Sequence, residues 1–236
     1  SETGAALAGA RFELTASRTN VEGAWENYLA KAAGSEPDGL TGVQAVTVDG
    51  TTLRFTIAGS TEHGVTDGTA VLTELPYGTY TLTETKAPDG YILGSAPEVR
   101  VFTISRADRT ISYTTDQLAL ENDAMGPIAN TPHETTVVKV SKSNTETKLA
   151  GAEFILKSQK GYVLLKDGSF DGYVQEEEKA SRFITDENGA FVIKRLPAGT
   201  YTLVEKTAPS GYQINSDIPS FTTDGTKHSL IQVEDQ

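Results

Sequence analysis

The chain has 236 residues, a formal net charge of −12 and no cysteine, and it is rich in threonine, glycine and valine. The acidic balance argues against nucleic acid and anionic membranes as partners, since both are bound by clustered lysine and arginine. The lack of cysteine excludes a disulfide framework, and no stretch reaches the roughly 18 apolar residues of a membrane span. This composition favours short strands and tight turns, so we predict an all-β protein.

The first predicted strand opens a sequence repeat. Residues 7–14 read LAGARFEL, and residues 149–156 read LAGAEFIL. A second block, residues 75–91, returns at residues 196–212 with twelve of its seventeen positions identical. We therefore predict two tandem domains, residues 1–132 and 133–236, each large enough to bury its own core.

An insertion is predicted within residues 21–65 of the first domain. The two repeated blocks are offset by 142 and 121 residues, so the first domain holds 21 extra residues between them. A helix is predicted over residues 25–33, before Gly34, because apolar side chains recur there at helical spacing. These side chains are Trp25, Tyr28, Leu29 and Ala32. We interpret the helix as a cap on an open end of the domain; the alternative is an exposed contact surface for a partner.

The other predicted elements are short strands separated by turns. Strands of the first domain are predicted at residues 98–105, 110–115 and 126–130. The boundary falls near Pro132, because proline interrupts strand pairing. Strands of the second domain are predicted at residues 135–140, 183–184, 190–193 and 227–234. Asn188 and Gly189 favour a hairpin turn between the second and third of these. Seven or so strands per domain predict two Ig-like antiparallel β-sandwiches.

Three ionisable side chains are predicted to point into the core of the second domain. By the two-residue period of a strand, Glu205 shares a face with Leu203, and Asp235 shares a face with Val233. Lys139 lies inside the apolar run VVKV, and no other lysine of this domain is embedded in an apolar strand. One amine and two acids left ionised in a core are unfavourable, because one carboxylate has no counter-charge.

Condensation of the amine with an acid offers a better outcome. Burial favours a neutral, nucleophilic amine and a protonated acid. Attack of Lys139 on the Asp235 carboxyl group, with loss of water, would leave an amide between the first and last strands. Glu205, hydrogen-bonded to both groups, would act as acid and base in that single turnover. The alternative is that Lys139 reaches solvent at a strand edge and forms a salt bridge with Glu205.

The sequence resembles a known family in its motifs LAGAxFxL, GTYTLxE and APxGY. It also shares a lysine before LAGA and an Asn or Asp on the last strand. These features look like the Cna B-type, prealbumin-like domains of Gram-positive surface proteins and sortase-assembled pilins. In that family a glutamate assists spontaneous Lys–Asn or Lys–Asp isopeptide formation. The resemblance implies that Lys139 is the amine, Glu205 the assisting acid and Asp235 the acceptor. Most members have Asn as the acceptor, so Asp235 changes the leaving group from ammonia to water.

The first domain matches this pattern only in part. Glu84 corresponds to Glu205, but the equivalent lysine would precede Leu7 by ten residues, so the first strand is truncated in this sequence. The resemblance favours Asn130 as acceptor, with Asn122 and Asp116 as alternatives.

Two other lysines of the first domain are weak substitutes for the missing amine. Lys31 lies on the predicted helix, and Lys86 is placed on the exposed side of a turn. We expect this domain to be uncross-linked, or linked by a residue absent from the sequence.

The resemblance implies a structural segment of a Gram-positive cell-surface pilin or stalked adhesin, outside the cell on the pilus or wall. Its partners would be other pilin subunits or host surface proteins. The alternative is an adhesive module that contacts a host or matrix protein through the insertion. Beyond the single-turnover bond, no enzymatic activity and no cofactor are expected. No metal is expected either, since His63, His133 and His228 are isolated in sequence. We interpret the chain as a mature fragment, without signal peptide or sorting motif.

Overall fold

The computed structural model describes residues 6–34, 39–59, 68–93, 99–105, 111–113, 128–216 and 220–235. The chain divides into two compact units. Unit 1 comprises residues 1–88 and 93–131, and unit 2 comprises residues 89–92 and 132–236. Strands dominate the described residues, and the single α-helix among them lies in unit 1. The prediction of a mostly β protein with two domains and one short helix is confirmed.

The elements up to residue 132 follow the predicted order with additional strands. The helix is α1 (Ala24–Ala32). The strands are β1 (Arg11–Thr19), β2 (Leu40–Thr41), β3 (Val43–Asp49), β4 (Thr52–Ile57), β5 (Val71–Leu72), β6 (Gly78–Lys86), β7 (Tyr91–Ile92), β8 (Val99–Ile104), β9 (Ile111–Tyr113) and β10 (Thr131–Pro132).

Unit 1 is built on an antiparallel sheet with strand order β3-β4-β1-β6-β8-β9. The two-residue period places Phe12 and Leu14 of β1 in the core. The apolar face of α1 packs on this core. The Trp25 ring stacks on Tyr28 at 5.5 Å and meets the edge of Tyr80 at 5.6 Å. The four apolar residues predicted for this face are all buried, so the helix closes the core of its own unit.

Three details of unit 1 differ from the sequence-based expectations. The insertion contains the β3–β4 hairpin, which was not predicted. Residues 128–130 are not in a strand; the short strand β10 follows them, and residues 126 and 127 lie outside the described part. Lys86 is the last residue of β6 rather than part of a turn, because the ladder between β6 and β1 continues to the Lys86–Arg11 pair.

Besides β7, unit 2 contains the remaining strands and a short 3-10 turn at Glu177–Lys179. The strands are β11 (Glu134–Ser141), β12 (Glu153–Ser158), β13 (Gly161–Lys166), β14 (Ser169–Val174), β15 (Phe183–Ile184), β16 (Ala190–Lys194), β17 (Gly199–Thr207), β18 (Phe221–Thr223) and β19 (Ser229–Asp235).

The strand order of unit 2 is β18-β17-β12-β13-β14-β16-β11-β19, with β15 also paired to β12. Most pairs are antiparallel as predicted, but β11 and β19 are parallel, and so are β14 and β16. Parallel pairing is open to β11 and β19 because nearly the whole unit lies between them as a connection. The first and last long strands of the unit are therefore direct neighbours that run in the same direction.

The hairpin predicted around Asn188 and Gly189 forms a turn but not a paired hairpin. The side chain of Asp186 accepts hydrogen bonds from the backbone N–H groups of Asn188 and Ala190, which closes the turn. The flanking strands pair elsewhere, β15 with β12 and β16 with β11. The turn therefore connects two strands that pair with different partners, β12 and β11.

Candidate functional site

The backbone of β11 fixes the position of Lys139. The N–H of Lys139 donates to the carbonyl of Gly189 at 2.8 Å, and its own carbonyl accepts from the N–H of Leu149 at 2.9 Å. Gly189 has φ +68°, and a Cβ atom there would lie 2.8 Å from the Lys139 carbonyl oxygen. A side chain at this position would therefore push β11 away. Leu149 opens the repeated LAGA motif, so this motif aligns the strand that carries the lysine.

The structure brings Lys139, Glu205 and Asp235 together in the core of unit 2. The Lys139 ammonium nitrogen Nζ lies 3.0 Å from Oε1 of Glu205 and 3.4 Å from Oδ2 of Asp235. None of the three side chains has any exposed surface. The Phe154 ring lies 5.5 Å from Nζ, and Val137 and Val233 belong to the surrounding apolar core. The group is thus sealed from solvent, and Lys139 does not reach the strand edge.

The three charges are close together but poorly satisfied. Lys139 Nζ, Glu205 Oε1 and both carboxylate oxygens of Asp235 are buried without a well-aligned hydrogen bond to any described residue. A buried ion pair offsets its desolvation only when geometry is good and the remaining lone pairs are satisfied. The expected hydrogen bond between Glu205 and Asp235 is also not formed among the described residues. As separate ions, these groups are therefore an unfavourable arrangement.

Asn215 contacts this site and was not identified from the sequence. Its backbone N–H donates to Oε2 of Glu205 at 2.8 Å, and its Nδ2 donates to the carbonyl of Glu234 at 2.8 Å. A backbone donor leaves no residue-type pattern, and Asn215 lies outside the strands. The sequence offered one signal, a difference between the two repeats. Asn215 lies three residues after Tyr212, whereas Gly94 lies three residues after the equivalent Tyr91.

Unit 1 brings together two of its expected site residues. Nδ2 of Asn130 donates to both carboxylate oxygens of Glu84, at 3.0 Å each. Glu84 is buried and Asn130 is half-buried. The alternative acceptors, Asn122 and Asp116, lie outside the described residues. Lys31 is exposed, and its ammonium nitrogen Nζ lies 3.6 Å from Oε2 of Glu74.

His133 is buried at the start of unit 2. Its Nε2 donates to the carbonyl oxygen of Leu196 at 2.5 Å, and Nδ1 has no partner among the described residues. Burial lowers the pKa of His133, and the nearby His228 acts in the same direction; the Leu196 carbonyl and Asp224 oppose them. The imidazole is therefore held in its neutral form, with the proton on Nε2.

Acidification is expected to destabilise unit 2 through His133. Because the pKa of His133 is lowered on folding, the same histidine in the unfolded chain, with a pKa of about 6.5, binds the proton more readily. The contribution of His133 to the free energy of unfolding of unit 2 is then fully present above about pH 6.5. It falls as the pH drops, by at most about 1.4 kcal/mol per pH unit. Guanidinium unfolding followed by circular dichroism measures this slope, and His133→Gln should reduce it. Equal slopes for the two proteins would contradict the assignment.

The described parts of the chain contain no group of three or more His, Cys, Asp or Glu residues that could hold a metal ion. His228 accepts a hydrogen bond from the Glu134 N–H, and His63 lies outside the described residues. No helix among the described residues is long and apolar enough to cross a membrane.

Comparison with known proteins agrees with this architecture of tandem β-domains. The sequence model of the SpaA prealbumin-like fold domain matches residues 1–118 and 134–236. Over 92 residues the chain is 39% identical to the collagen adhesin of Staphylococcus aureus, which covers 38% of this chain and 7% of that protein.

Solved structures give further matches. The Bacillus anthracis TIE protein is 24% identical with a TM-score of 0.40, covering 97% of this chain and 30% of that chain. The group B streptococcus pilus 2b backbone protein is 18% identical with a TM-score of 0.42, covering 98% of this chain and 80% of that chain. The chain thus spans a small part of the collagen adhesin and less than a third of the TIE protein.

The fold, with one buried glutamate in each unit (Glu84 and Glu205), defines the class of protein as tandem prealbumin-like domains. The SpaA sequence model covers nearly all of both units, so the chain belongs to the family of SpaA prealbumin-like fold domains. The resemblance predicted from the repeated motifs is confirmed.

Proposed function

We propose that the chain is a structural segment of a Gram-positive surface pilin or stalked adhesin, and that unit 2 stabilises itself with an isopeptide bond between Lys139 and Asp235. The family assignment and the pilin and adhesin relatives support the structural role. The geometry of unit 2 supports the proposal of an isopeptide bond. An amine lies within 3.4 Å of a carboxylate oxygen, in a core where neither group is exposed or well hydrogen-bonded.

The proposed reaction joins Nζ of Lys139 to Cγ of Asp235. The C–N bond forms as one C–O bond of the carboxyl group breaks, and the departing oxygen leaves as water with two protons. Glu205 takes a proton from the nitrogen and passes a proton to the leaving oxygen, so it returns to its starting state. Its Oε1, 3.0 Å from Nζ, is positioned for this transfer. Proximity in a dry core takes the place of an activated ester.

In unit 1, Glu84 and Asn130 form the corresponding acid and acceptor pair, but the sequence given holds no lysine equivalent to Lys139. Lys31 is exposed on α1, and Lys86 ends β6 opposite Arg11. We accordingly propose a single cross-link within the sequence given, in unit 2.

The location and partners follow from the structural role. A covalent link between the ends of a domain suits an extracellular position on the pilus or the cell wall, where no cysteine of this chain could supply a disulfide. The proposed partners are other pilin subunits or host surface proteins. The bond forms once per molecule, so the chain turns over no substrate.

Intact-mass spectrometry of the purified chain tests the proposal. The parent protein should lack the mass of one water, and fragmentation should place the link between Lys139 and Asp235. Glu205→Gln should have the full mass, because Gln cannot relay protons. Glu187→Gln, which changes an exposed carboxylate of the same unit, is the matched control and should resemble the parent. An unmodified parent would remove the chemical claim.

A second candidate function is binding through the insertion, favoured by a cleft beside α1. The cleft has a volume of about 250 Å³. Its lining includes Asn27, Tyr28, Lys31 and Glu74. The Tyr28 hydroxyl is buried there without a partner among the described residues, and burial, aided by Glu74, raises its pKa to about 12. A ligand with a hydrogen-bonding group would satisfy this hydroxyl.

Binding to immobilised matrix proteins tests this second function, and collagen comes first because of the name of the Staphylococcus aureus relative. The exposed substitutions Asn27→Ala and Lys31→Ala should weaken binding while leaving the buried apolar face of α1 intact. Equal binding by the parent and both variants would reject the cleft as the contact site.

A further inference from the structure

Two hydrogen bonds join Glu205, the proposed proton relay, to β19, the strand that carries the proposed acceptor Asp235. Both bonds come from Asn215, which lies in the loop of residues 211–216 between β17 and β18. The backbone N–H contacts Oε2 of Glu205, and the side chain contacts the carbonyl of Glu234, each at 2.8 Å. Glu234 immediately precedes Asp235. One loop residue thus holds both the relay and the acceptor strand.

On the relay side, Asn215 distinguishes the two oxygens of Glu205. An N–H donor favours the unprotonated oxygen of a carboxylic acid, so the bond to Oε2 directs the exchangeable proton to Oε1. Oε1 is the oxygen that lies 3.0 Å from Lys139 Nζ. The backbone of Asn215 therefore orients the Glu205 carboxyl group for transfer to and from the reacting amine.

On the acceptor side, Asn215 restrains the end of β19. Among the described strands, β19 lies at the edge of the sheet and pairs with β11 alone, and Asp235 is its last residue. Ends of edge strands open easily. The bond from Nδ2 to the Glu234 carbonyl ties this end to the loop. A displacement of about 1 Å at reacting groups can slow a reaction roughly 100-fold, so this restraint acts directly on the rate.

We propose that Asn215 is a positioning residue for amide formation between Lys139 and Asp235. This inference rests on the proposed function of unit 2 and assigns a role to a residue outside the reacting trio. Unit 1 has Gly94 at the corresponding position, and glycine has no side-chain donor to hold a final strand.

The test measures how fast the full chain cross-links. The chain is made by cell-free synthesis, samples are quenched over time, and intact mass gives the fraction that has lost water. Asn215→Ala removes the side-chain donor and keeps the backbone N–H, and Asn215→Asp keeps the shape without the donor. Both should cross-link roughly 10- to 100-fold more slowly than the parent. Gln213→Ala, an exposed change in the same loop, is the control and should match the parent.

A second measurement separates positioning from simple loss of structure. In the unreactive Glu205→Gln background, the urea midpoint of unit 2 is compared with and without Asn215→Ala. The inference expects unit 2 to remain folded in both proteins. Parent-like rates for both Asn215 variants would overturn it, and so would slowing that Gln213→Ala shares or unfolding of the Asn215→Ala protein. A parent that never loses water would overturn the proposed function itself, and this inference with it.

Discussion

Replacing Glu205 by Gln should lower the free energy of unfolding of unit 2 by roughly 4–5 kcal/mol, because the amide cross-link no longer forms. The link would join residues 96 positions apart, and closing a loop of about 100 residues removes that much chain entropy from the unfolded state. For a domain of this size, the loss corresponds to a drop in melting temperature of roughly 20 °C or more. Few single substitutions at a buried site that preserve side-chain shape have so large an effect.

Differential scanning calorimetry and resistance to proteolysis measure this change. Gln at position 205 retains an oxygen for the Asn215 N–H, so the loop contact is preserved while proton transfer is lost. Lys139→Met removes the amine by another route and should give a similar melting temperature. Because both variants abolish the same bond, the double variant should lose much less than the sum of the two effects. Glu187→Gln should melt with the parent, and melting of Glu205→Gln within a few degrees of the parent would contradict the link.

The positions of Lys139, Glu205 and Asp235 could be predicted because each depends on a local rule. Side chains alternate along a strand, so an ionisable residue in phase with apolar neighbours must face the core. The structure buries all three side chains, as this rule requires. The same reasoning identified the apolar face of α1, whose period is also local. The repeat supported the assignment of Glu205, since Glu84 occupies the same position of the repeated block in unit 1.

Features set by contacts between distant parts of the chain could not be predicted in this way. The parallel pairing of β11 with β19, and the separation of β15 from β16, depend on which strands become neighbours after the whole unit has folded. The bond from the Asn215 backbone to Glu205 has no residue-type signature at all, because every residue except proline has an N–H group. Local periodicity therefore predicts which way a side chain faces, but not its partner across the sheet.

The parallel pairing of β11 and β19 leads to the prediction about force. The start of β11 and the end of β19 lie at opposite ends of the pair, so tension along the chain shears the pair rather than peeling it apart. With an amide between Lys139 and Asp235, the load passes from β11 through the link and leaves at the end of β19. Residues 140–234 then lie outside the loaded path, and unit 2 should not extend at forces that unfold unit 1.

Single-molecule pulling on the full chain should therefore show one unfolding step for the parent and an additional step for Glu205→Gln. The added contour length should be about 300 Å, since the residues between positions 139 and 235 can each extend by about 3.3–3.6 Å. The control Glu187→Gln should show the single step of the parent, because the link forms normally. An added step of this length in the parent would mean that the load is carried by hydrogen bonds alone. Its absence in the parent together with its presence in Glu205→Gln would show that one buried carboxyl group decides whether the domain yields to tension.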